Sequence, residues 1–378
     1  MYLDEGGCGN YRIKLPLTHL SEVGAQVHLV KAYLEGFTLA GFDLSVYTHI
    51  IVQRATYPHN LKLLHEAKAR GVSIVYEIDD NLHRIHPSSK AYPIFKPGSD
   101  ALKVVDEIIT ISDAMIVSTP DLASQYAYKH PKIFVLPNYL SFQHQNWNCV
   151  RPKPDVMRDK VVIGWAGSHT HQEDYLPLKG VLSDVLKTYD NTVFACCSSY
   201  SMMEEFVKVL ELPKDKVVLI EPMPFNQFPI VLTPFDIGLA PLKDTSFNRA
   251  KSDLKLKEYG AKSIPYIATD CAPYRRFHND TFGCGGFLAR GGGDWEQALH
   301  TLVADSQERR NRGRLLRKII EKRYLLRDNV IQWGETLRKI RQGDYITSWS
   351  QMDKPGRNKP CPCGKQRKYK TCCYPAFG

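Results

Sequence analysis

The sequence has no hydrophobic run that approaches the roughly 18 residues needed to span a bilayer. Its first residues, Met1 to Glu5, lack the basic segment and the apolar core of a secretory signal. We therefore expect no transmembrane segment and predict a cytoplasmic protein. The chain has 378 residues, 43% of them hydrophobic, which is enough for two or three globular domains.

Cysteine is sparse over most of the chain. Six of the ten cysteines are scattered through residues 1–300, and the other four lie within residues 361–373. A disulfide framework would be spread through a short secreted chain. The distribution therefore predicts a reducing compartment and one local metal site.

An excess of either charge is missing from residues 1–300, which carry 31 basic and 33 acidic side chains. Residues 301–378 carry 19 basic and 7 acidic side chains, a net charge of +12. Such an asymmetry predicts an appended surface for a polyanion such as DNA. The alternative is a solvated helix face without a partner.

Short apolar runs such as Val72–Tyr76 alternate with amphipathic segments along the chain. Near-continuous apolar strands that alternate with helices are typical of parallel sheets covered on both faces. The pattern pauses in a polar stretch at residues 140–160, which predicts a linker. We therefore predict an α/β fold with two Rossmann-like domains, residues 1–145 and 158–342. The second would include long helices near residues 295–324 and 330–341.

A glycine-rich segment, Gly6 to Gly9, follows a very short first strand. Glycine allows the backbone to approach a phosphate or a sugar closely, and a following helix N-terminus favours an anion. This predicts a ligand contact near Gly9. A simple turn is the alternative.

Two acids follow the buried strand that ends near Ile78. Asp79 and Asp80 lie at its carboxyl end, where α/β proteins bind their ligands. A carboxylate there can act as a base on an acceptor hydroxyl or hold sugar hydroxyls. The alternative is that one of them caps the next helix.

A second turn of small residues follows the first strand of the second domain. Gly167, Ser168 and His169 suit a diphosphate at a strand-to-helix turn. His169 can donate to a phosphate or be merely exposed.

A basic segment further on ends in a carboxylate. Lys251, Lys255 and Glu258 are four and three residues apart, so they can share one helix face. Lysines suit phosphates and a glutamate suits ribose hydroxyls, which together match a nucleoside diphosphate. A solvent-exposed face of ion pairs would show a similar pattern.

These segments together resemble glycosyltransferases of the GT-B fold, in the broad family 4-like group. The resemblance rests on Asp236–Leu242, Glu258–Pro265, Ser118–Pro120, Leu136–Asn138 and Gly7–Arg12, the last in a form similar to phage and bacterial members. It implies a nucleotide-sugar donor and no metal for transfer.

The same resemblance assigns roles to single residues. Glu258 matches the second glutamate of the E-x7-E motif, and the first would fall at Ala250, so its role is missing or passes to Asn248 or Lys251. The usual basic residue near Gly167 is absent, and Lys251 and Lys255 supply the phosphate charge instead. The donor-binding set implied is Gly9, Gly167, Ser168, His169, Asn248, Lys251, Ser252, Lys255 and Glu258. The acceptor-side set is Tyr11, Arg12 and His83, beside the catalytic Asp79 and Asp80.

The last motif, in residues 355–378, places Cys361 and Cys363 before Cys372 and Cys373. Four thiolates can close a tetrahedral structural zinc site, and so small a unit would scarcely fold without the metal. The spacing resembles the SEC-C motif. We therefore predict a small C-terminal zinc knuckle.

The prediction is a hexosyl- or pentosyltransferase that moves a sugar from a nucleoside-diphosphate sugar to an acceptor hydroxyl. A hydroxymethylated pyrimidine in phage DNA is one acceptor, bound through the basic C-terminal region in the cytoplasm of a bacterial host. A cell-surface glycan or another non-DNA acceptor is the alternative. A non-catalytic nucleic-acid-binding protein is the alternative of another class.

Overall fold

The computed structural model describes residues 1–31, 43–168 and 173–343. The chain divides into two compact units. Unit 1 comprises Met1–Asn138, Ala250–Ser252 and the chain from Asn329, and unit 2 comprises Tyr139–Arg249 and Asp253–Asp328. Among the described residues, none of the helices combines the length and the apolar character that crossing a bilayer requires.

Unit 1 is built on a parallel sheet whose four strands follow one another in chain order. The strands are β1 (His49–Gln53), β2 (Ser73–Ile78), β3 (Ala114–Val117) and β4 (Ile133–Val135). Its helices are α1 (Gly7–Gly9), α2 (Leu15–Glu22), α3 (Pro58–Ala69), α4 (Tyr92–Phe95), α5 (Asp100–Ile111) and α6 (Pro120–Tyr126), together with the last described helix, α16 (Ile331–Gln342).

Residues 1–3 lie beside β1, and at the place of the predicted very short first strand the structure has an isolated bridge at Tyr2. The Met1 ammonium donates to the Ile51 carbonyl at 2.7 Å, and the Gln53 amide donates to the Met1 carbonyl at 3.1 Å. On its other side, Tyr2 forms a parallel bridge with Lys31. The first segment therefore has neighbours on both sides.

The helices of unit 1 begin where the sequence supplies caps. Ser99 accepts a hydrogen bond from the Leu102 amide at the start of α5, and Thr119 does the same for Leu122 at the start of α6. Val105 and Ile108 of α5 are wholly buried in the core beneath the sheet. Burial of this apolar face, at about 25 cal/mol per Å², is what holds such a helix in place.

Unit 2 contains a six-stranded sheet in which every pair is parallel, in the order β10-β9-β8-β5-β6-β7. The strands are β5 (Val161–Ala166), β6 (Thr192–Cys197), β7 (Val217–Ile220), β8 (Ile237–Ala240), β9 (Tyr266–Thr269) and β10 (Gly286–Ala289). The helices are α7 (Val181–Thr188), α8 (Tyr200–Val209), α9 (Phe228–Val231), α10 (Ser246–Arg249), α11 (Leu254–Ala261), α12 (Ala272–Asp280), α13 (Gly292–Ala304), α14 (Ser306–Arg323) and α15 (Leu326–Asn329).

Three expectations differ from the structure. The helix expected over residues 295–324 is two helices, because Asp305 ends α13 and caps α14 by accepting from the Gln307 and Glu308 amides. Strand β10 was not expected. Helix α16, which lay in the predicted second domain of residues 158–342, belongs to unit 1. The predicted zinc knuckle, residues 355–378, lies outside the described residues.

Candidate functional site

Asp79 and Asp80 follow β2 at the carboxyl end of the unit 1 sheet, beside an arginine that follows β1. Arg54 Nη1 lies 3.4 Å from Asp79 Oδ1 and 3.9 Å from Asp80 Oδ2. The three side chains keep 15 to 23% of their surface exposed. The carboxylates are thus held by a cation and still open to a ligand.

Arg54 has a backbone φ of 44°, in the left-handed region that side chains other than glycine rarely adopt. Its amide donates to the Glu77 carbonyl at 3.0 Å, which fixes this conformation. Strained residues of this kind cluster at ligand-binding sites. Sequence reasoning missed Arg54, since nothing in the chain around it marks a positive φ.

Lys251 joins this group in unit 1. Its ammonium lies 3.6 Å from Asp80 Oδ1. The residues on either side of it are held by unit 1 side chains: Thr119 Oγ1 donates to the Ala250 carbonyl at 2.7 Å, and Asn138 Nδ2 donates to the Ser252 hydroxyl at 3.0 Å. Ala250 itself is wholly buried.

The prediction that Lys251, Lys255 and Glu258 share one helix face is therefore wrong for Lys251. Helix α11 begins at Leu254, so Lys251 precedes it and lies with Asp80. Lys255 and the half-buried Glu258 remain on α11, three residues apart. The separation arises from the contacts of Ala250 and Ser252, which no local pattern encodes.

Arg12, predicted on the acceptor side, lies in the interior of unit 1. Its Nε donates to Glu77 Oε1 at 2.7 Å, and its Nη1 donates to the Leu136 carbonyl at 2.6 Å and to Asn138 Oδ1 at 2.9 Å. Arg12 is 1% exposed and Glu77 is fully buried. Tyr11 is buried beside it. Burial of both residues favours a structural role over contact with an acceptor.

Glu77 is an ionisable group in a solvent-free environment. Burial raises the pKa of its carboxyl to about 7, and the Arg12 guanidinium partly offsets this shift. Glu77 Oε2 and Arg12 Nη2 are both buried without a hydrogen-bond partner. The pair therefore joins the segment between α1 and α2 to β2, the strand that precedes Asp79.

His83, the third predicted acceptor-side residue, is engaged in a polar cluster. Its Nε2 lies 2.8 Å from Asp106 Oδ1 and its Nδ1 lies 3.2 Å from the Tyr126 hydroxyl. Lys129 also binds Asp106, at 2.6 Å. These contacts tie the loop after β2 to α5 and α6.

The glycine-rich segment is the start of a helix rather than an open turn. The Asp4 carboxylate accepts hydrogen bonds from the Gly6 amide at 2.7 Å and the Gly9 amide at 3.3 Å, so it occupies the place of an anionic ligand. A Cβ at Gly9 would lie 1.8 Å from the Asp4 carbonyl oxygen. Glycine is thus required at position 9 because the Asp4 backbone leaves no room for a side chain there.

In unit 2, the strand order reverses at β5, because β6 lies on one side of it and β8 on the other. Ligands of open α/β sheets bind outside the carboxyl ends of the strands at such a point. The Lys255 ammonium donates to the Ala166 carbonyl at the end of β5 and lies 5.3 Å from the centre of the Trp165 ring. Lys255 therefore places a positive charge at the switch point.

Gly167 and Ser168 follow β5 at the same place. The Gly167 amide donates to the Cys197 carbonyl at 3.1 Å, and a Cβ at Gly167 would lie 2.6 Å from the Trp165 ring. Ser168 is exposed. His169 lies outside the described residues, as do Cys361, Cys363, Cys372 and Cys373.

Asn248, predicted to contact the donor, closes the loop after β8. Its Nδ2 donates to Asp174 Oδ1 at 2.7 Å and to the Lys243 carbonyl at 2.9 Å, and the side chain is buried. The Lys243 amide also donates to Asp174, at 3.0 Å. Asp174 was missed, since an isolated acid gives no sign in sequence of its buried contacts.

No protein-family profile matches the chain. Two SecA protein translocase subunits, from Carboxydothermus hydrogenoformans and Pelotomaculum thermopropionicum, are 40% identical to it over 58 residues. The match covers 14% of this chain and 7% and 6% of those proteins. The chain thus spans less than a tenth of the length of the curated relatives.

The fold has solved counterparts. TarM matches 76% of this chain and 54% of its own, with a TM-score of 0.54 and 15% identity. Sucrose-phosphate synthase from Thermosynechococcus elongatus matches 79% of this chain and 74% of its own, with a TM-score of 0.55 and 13% identity. Anabaena HepE in complex with UDP-glucose matches 78% and 79%, with a TM-score of 0.53 and 16% identity.

The chain spans about half the length of TarM. At 13 to 16% identity, these likenesses establish the fold. The two parallel sheets of the described residues fit the two-domain GT-B fold, and the predicted α/β class is confirmed.

Proposed function

We propose that the chain is a nucleotide-sugar-dependent glycosyltransferase. The observation that carries the proposal is the positive charge of Lys255 at the β5 switch point, in a fold shared with HepE, which was solved with UDP-glucose. A TarM variant from S. aureus was solved with UDP as well. These complexes favour a UDP-sugar donor.

The donor would bind to unit 2. The diphosphate would lie over Gly167 and Ser168, with Lys255 beside it, and Glu258 would accept hydrogen bonds from the ribose hydroxyls. As the bond to the sugar breaks, negative charge grows on the diphosphate. The ammonium of Lys255 would stabilise that charge, as preorganised donors do in transfer reactions.

The acceptor would bind to unit 1 at Asp79 and Asp80. A carboxylate accepts a hydrogen bond from the acceptor hydroxyl and either orients it or takes its proton during transfer. Arg54 and Lys251 flank the two acids and fix their positions. Asp80 contacts both cations and Asp79 only Arg54, so Asp79 is the better candidate for a base.

For the acceptor itself, we propose a hydroxymethylated pyrimidine in phage DNA. The net charge of +12 in residues 301–378 supports a polyanionic acceptor. A base would have to leave the duplex stack to reach the carboxylates. A glycan acceptor is the second candidate, because the TarM variant was solved with α-GlcNAc-glycerol.

We also propose that Cys361, Cys363, Cys372 and Cys373 hold a structural zinc ion as a SEC-C motif. Their spacing supports this assignment. Elemental analysis should find one zinc per chain, lost in Cys361→Ser and kept in Cys149→Ser. Full zinc content in the Cys361→Ser protein would contradict the ligand set.

The transfer reaction is tested with purified full-length protein, a panel of UDP-, GDP- and dTDP-sugars, and DNA with or without hydroxymethylated bases. Mass spectrometry of the digested nucleosides should show a sugar-shifted nucleoside only with modified DNA. Transfer to α-GlcNAc-glycerol or a related glycan instead would favour the second acceptor. DNA binding without turnover of any nucleotide sugar would point to a non-catalytic protein and contradict the proposal.

A further inference from the structure

Seven of the basic residues of α14 fall into two groups, and the remaining one, Arg323, donates to the Asp280 carbonyl. The helix carries eight basic and two acidic residues. Arg312 binds Glu308 at 2.8 Å and the carbonyls of Gly283 and Gly286 at 3.1 and 3.2 Å, while its guanidinium lies 4.1 Å from the Phe287 ring. This arginine fastens the helix to the rest of unit 2.

Arg309 and Arg317 have the same structural role. Arg317 binds Glu321 at 2.7 Å and donates to the Ala261 carbonyl at the end of α11. Arg309 donates to the Val303 carbonyl at 2.8 Å, which closes the end of α13. Both acids of α14, Glu308 and Glu321, are therefore engaged by these structural arginines.

The second group is a row of four exposed cations, Arg310, Arg314, Lys318 and Lys322, which we name the α14 basic row. Arg310 and Arg314 hydrogen-bond only to neutral side chains, at 3.2 and 2.7 Å, and none of the four forms an ion pair with a described residue. Their charges are thus available to a partner.

The four members recur every fourth residue. At a rise of about 1.5 Å per residue, the row extends over about 18 Å of helix and turns slowly around its axis. It lies away from Gly313, Leu316 and Ile320, the residues of α14 that are buried. Glu321 is the acid next to the row, and it is bound to Arg317.

We infer that the α14 basic row is a docking surface for the phosphate backbone of duplex DNA. One strand of a duplex presents a phosphate about every 3.4 Å along the axis, so the row passes about five phosphates with four cations. An anionic membrane is the weaker candidate, because Leu315 is the one large hydrophobic side chain that α14 exposes among its described residues. The inference deepens the proposed function, since it rests on a DNA acceptor.

The test measures binding of the full-length protein to an unmodified, fluorescently labelled duplex, without any nucleotide sugar, at 50 to 200 mM salt. The variant carries Arg310→Gln, Arg314→Gln, Lys318→Gln and Lys322→Gln together. Each lost phosphate contact should lower the slope of log K against log salt by about 0.9, so we expect a slope smaller by about 3 to 4.

A matched control removes the same number of exposed charges elsewhere in unit 2. It carries Lys179→Gln, Lys187→Gln, Lys208→Gln and Lys214→Gln. For this control, we expect the slope of log K against log salt to differ from the slope of the parent protein by less than about one. Equal losses in the two variants would show that net charge alone matters and would overturn the inference.

An unchanged slope in the row variant would also overturn it. So would a variant that keeps DNA binding and loses binding to heparin or to vesicles containing phosphatidylserine, because the row would then serve another polyanion. Donor turnover is measured separately on both variants. A change in slope in a protein without transferase activity would leave the docking surface standing and contradict the proposed function alone.

Discussion

The ion pair of Arg12 and Glu77 gives the sharpest prediction of stability. Arg12→Met removes the cation and three hydrogen bonds and leaves Glu77 fully buried without a partner. Breaking a buried pair by removing one member costs about 3–5 kcal/mol. Since domains are stable by about 5–15 kcal/mol, this is a large part of the total.

The loss should depend on pH. Burial already raises the pKa of Glu77 to about 7 from its ordinary 4.5, and loss of Arg12 removes the charge that opposes this shift. Above pH 4.5, the folded state then binds a proton that the unfolded state releases, so stability falls as pH rises, up to the folded pKa. In the parent protein, this loss of stability with rising pH stops near pH 7, the pKa of Glu77 in the folded state. The variant should keep losing about 1.4 kcal/mol per pH unit above that.

The assay is urea unfolding followed by tryptophan fluorescence at pH 6, 7 and 8, together with Arg12→Lys and the double variant Arg12→Met/Glu77→Gln. Arg12→Lys keeps the charge and should lose less stability. The double variant should lose most of this pH dependence, because no ionisable group remains at position 77. A loss below about 1 kcal/mol that does not change between pH 6 and 8 would refute the reasoning.

Three further predictions concern single positions. Gly9→Ala should destabilise unit 1 by about 3 kcal/mol or more, since its Cβ would overlap the Asp4 carbonyl, whereas Gly7→Ala has 4.0 Å of room and should fold normally in the same thermal unfolding experiment. Lys255→Met should weaken UDP binding about 10- to 100-fold by calorimetry, and equal affinity would contradict the donor assignment. Asp79→Asn should lower kcat by about 10²- to 10⁴-fold with unchanged UDP affinity; full activity would exclude Asp79 as a base.

The strands of both units were the most predictable features. The strands Ala114–Val117, Val217–Ile220 and Ile237–Ala240 coincide with short apolar runs of the sequence. A strand covered on both faces of a parallel sheet is apolar without interruption, so composition alone marks its bounds. Helix α14 was merged with α13 even though Asp305 supplies a visible N-cap, since the amphipathic pattern continues past it.

The candidate site was less predictable, because its residues are fixed by contacts across long stretches of chain. Glu77 meets Arg12 from 65 residues away, and Thr119 holds the Ala250 carbonyl from 131 residues away. Glu77 lies two residues before Asp79, and nothing in the sequence indicates whether its side chain faces a ligand or a buried arginine. Glycine at position 9 was interpreted as a ligand contact, since the approach of Asp4 is visible only in three dimensions.

Lys251 and Lys255 show how this matters for function. Four residues apart, they were expected to bind one diphosphate together. In the structure Lys251 lies at 3.6 Å from Asp80 in unit 1, and Lys255 caps the end of β5 in unit 2. A cation that neutralises a carboxylate is a weak ligand for phosphate, because its charge is already compensated. We therefore propose that Lys255 supplies the charge for the diphosphate, and that Lys251 serves the acceptor side by holding Asp80 in place.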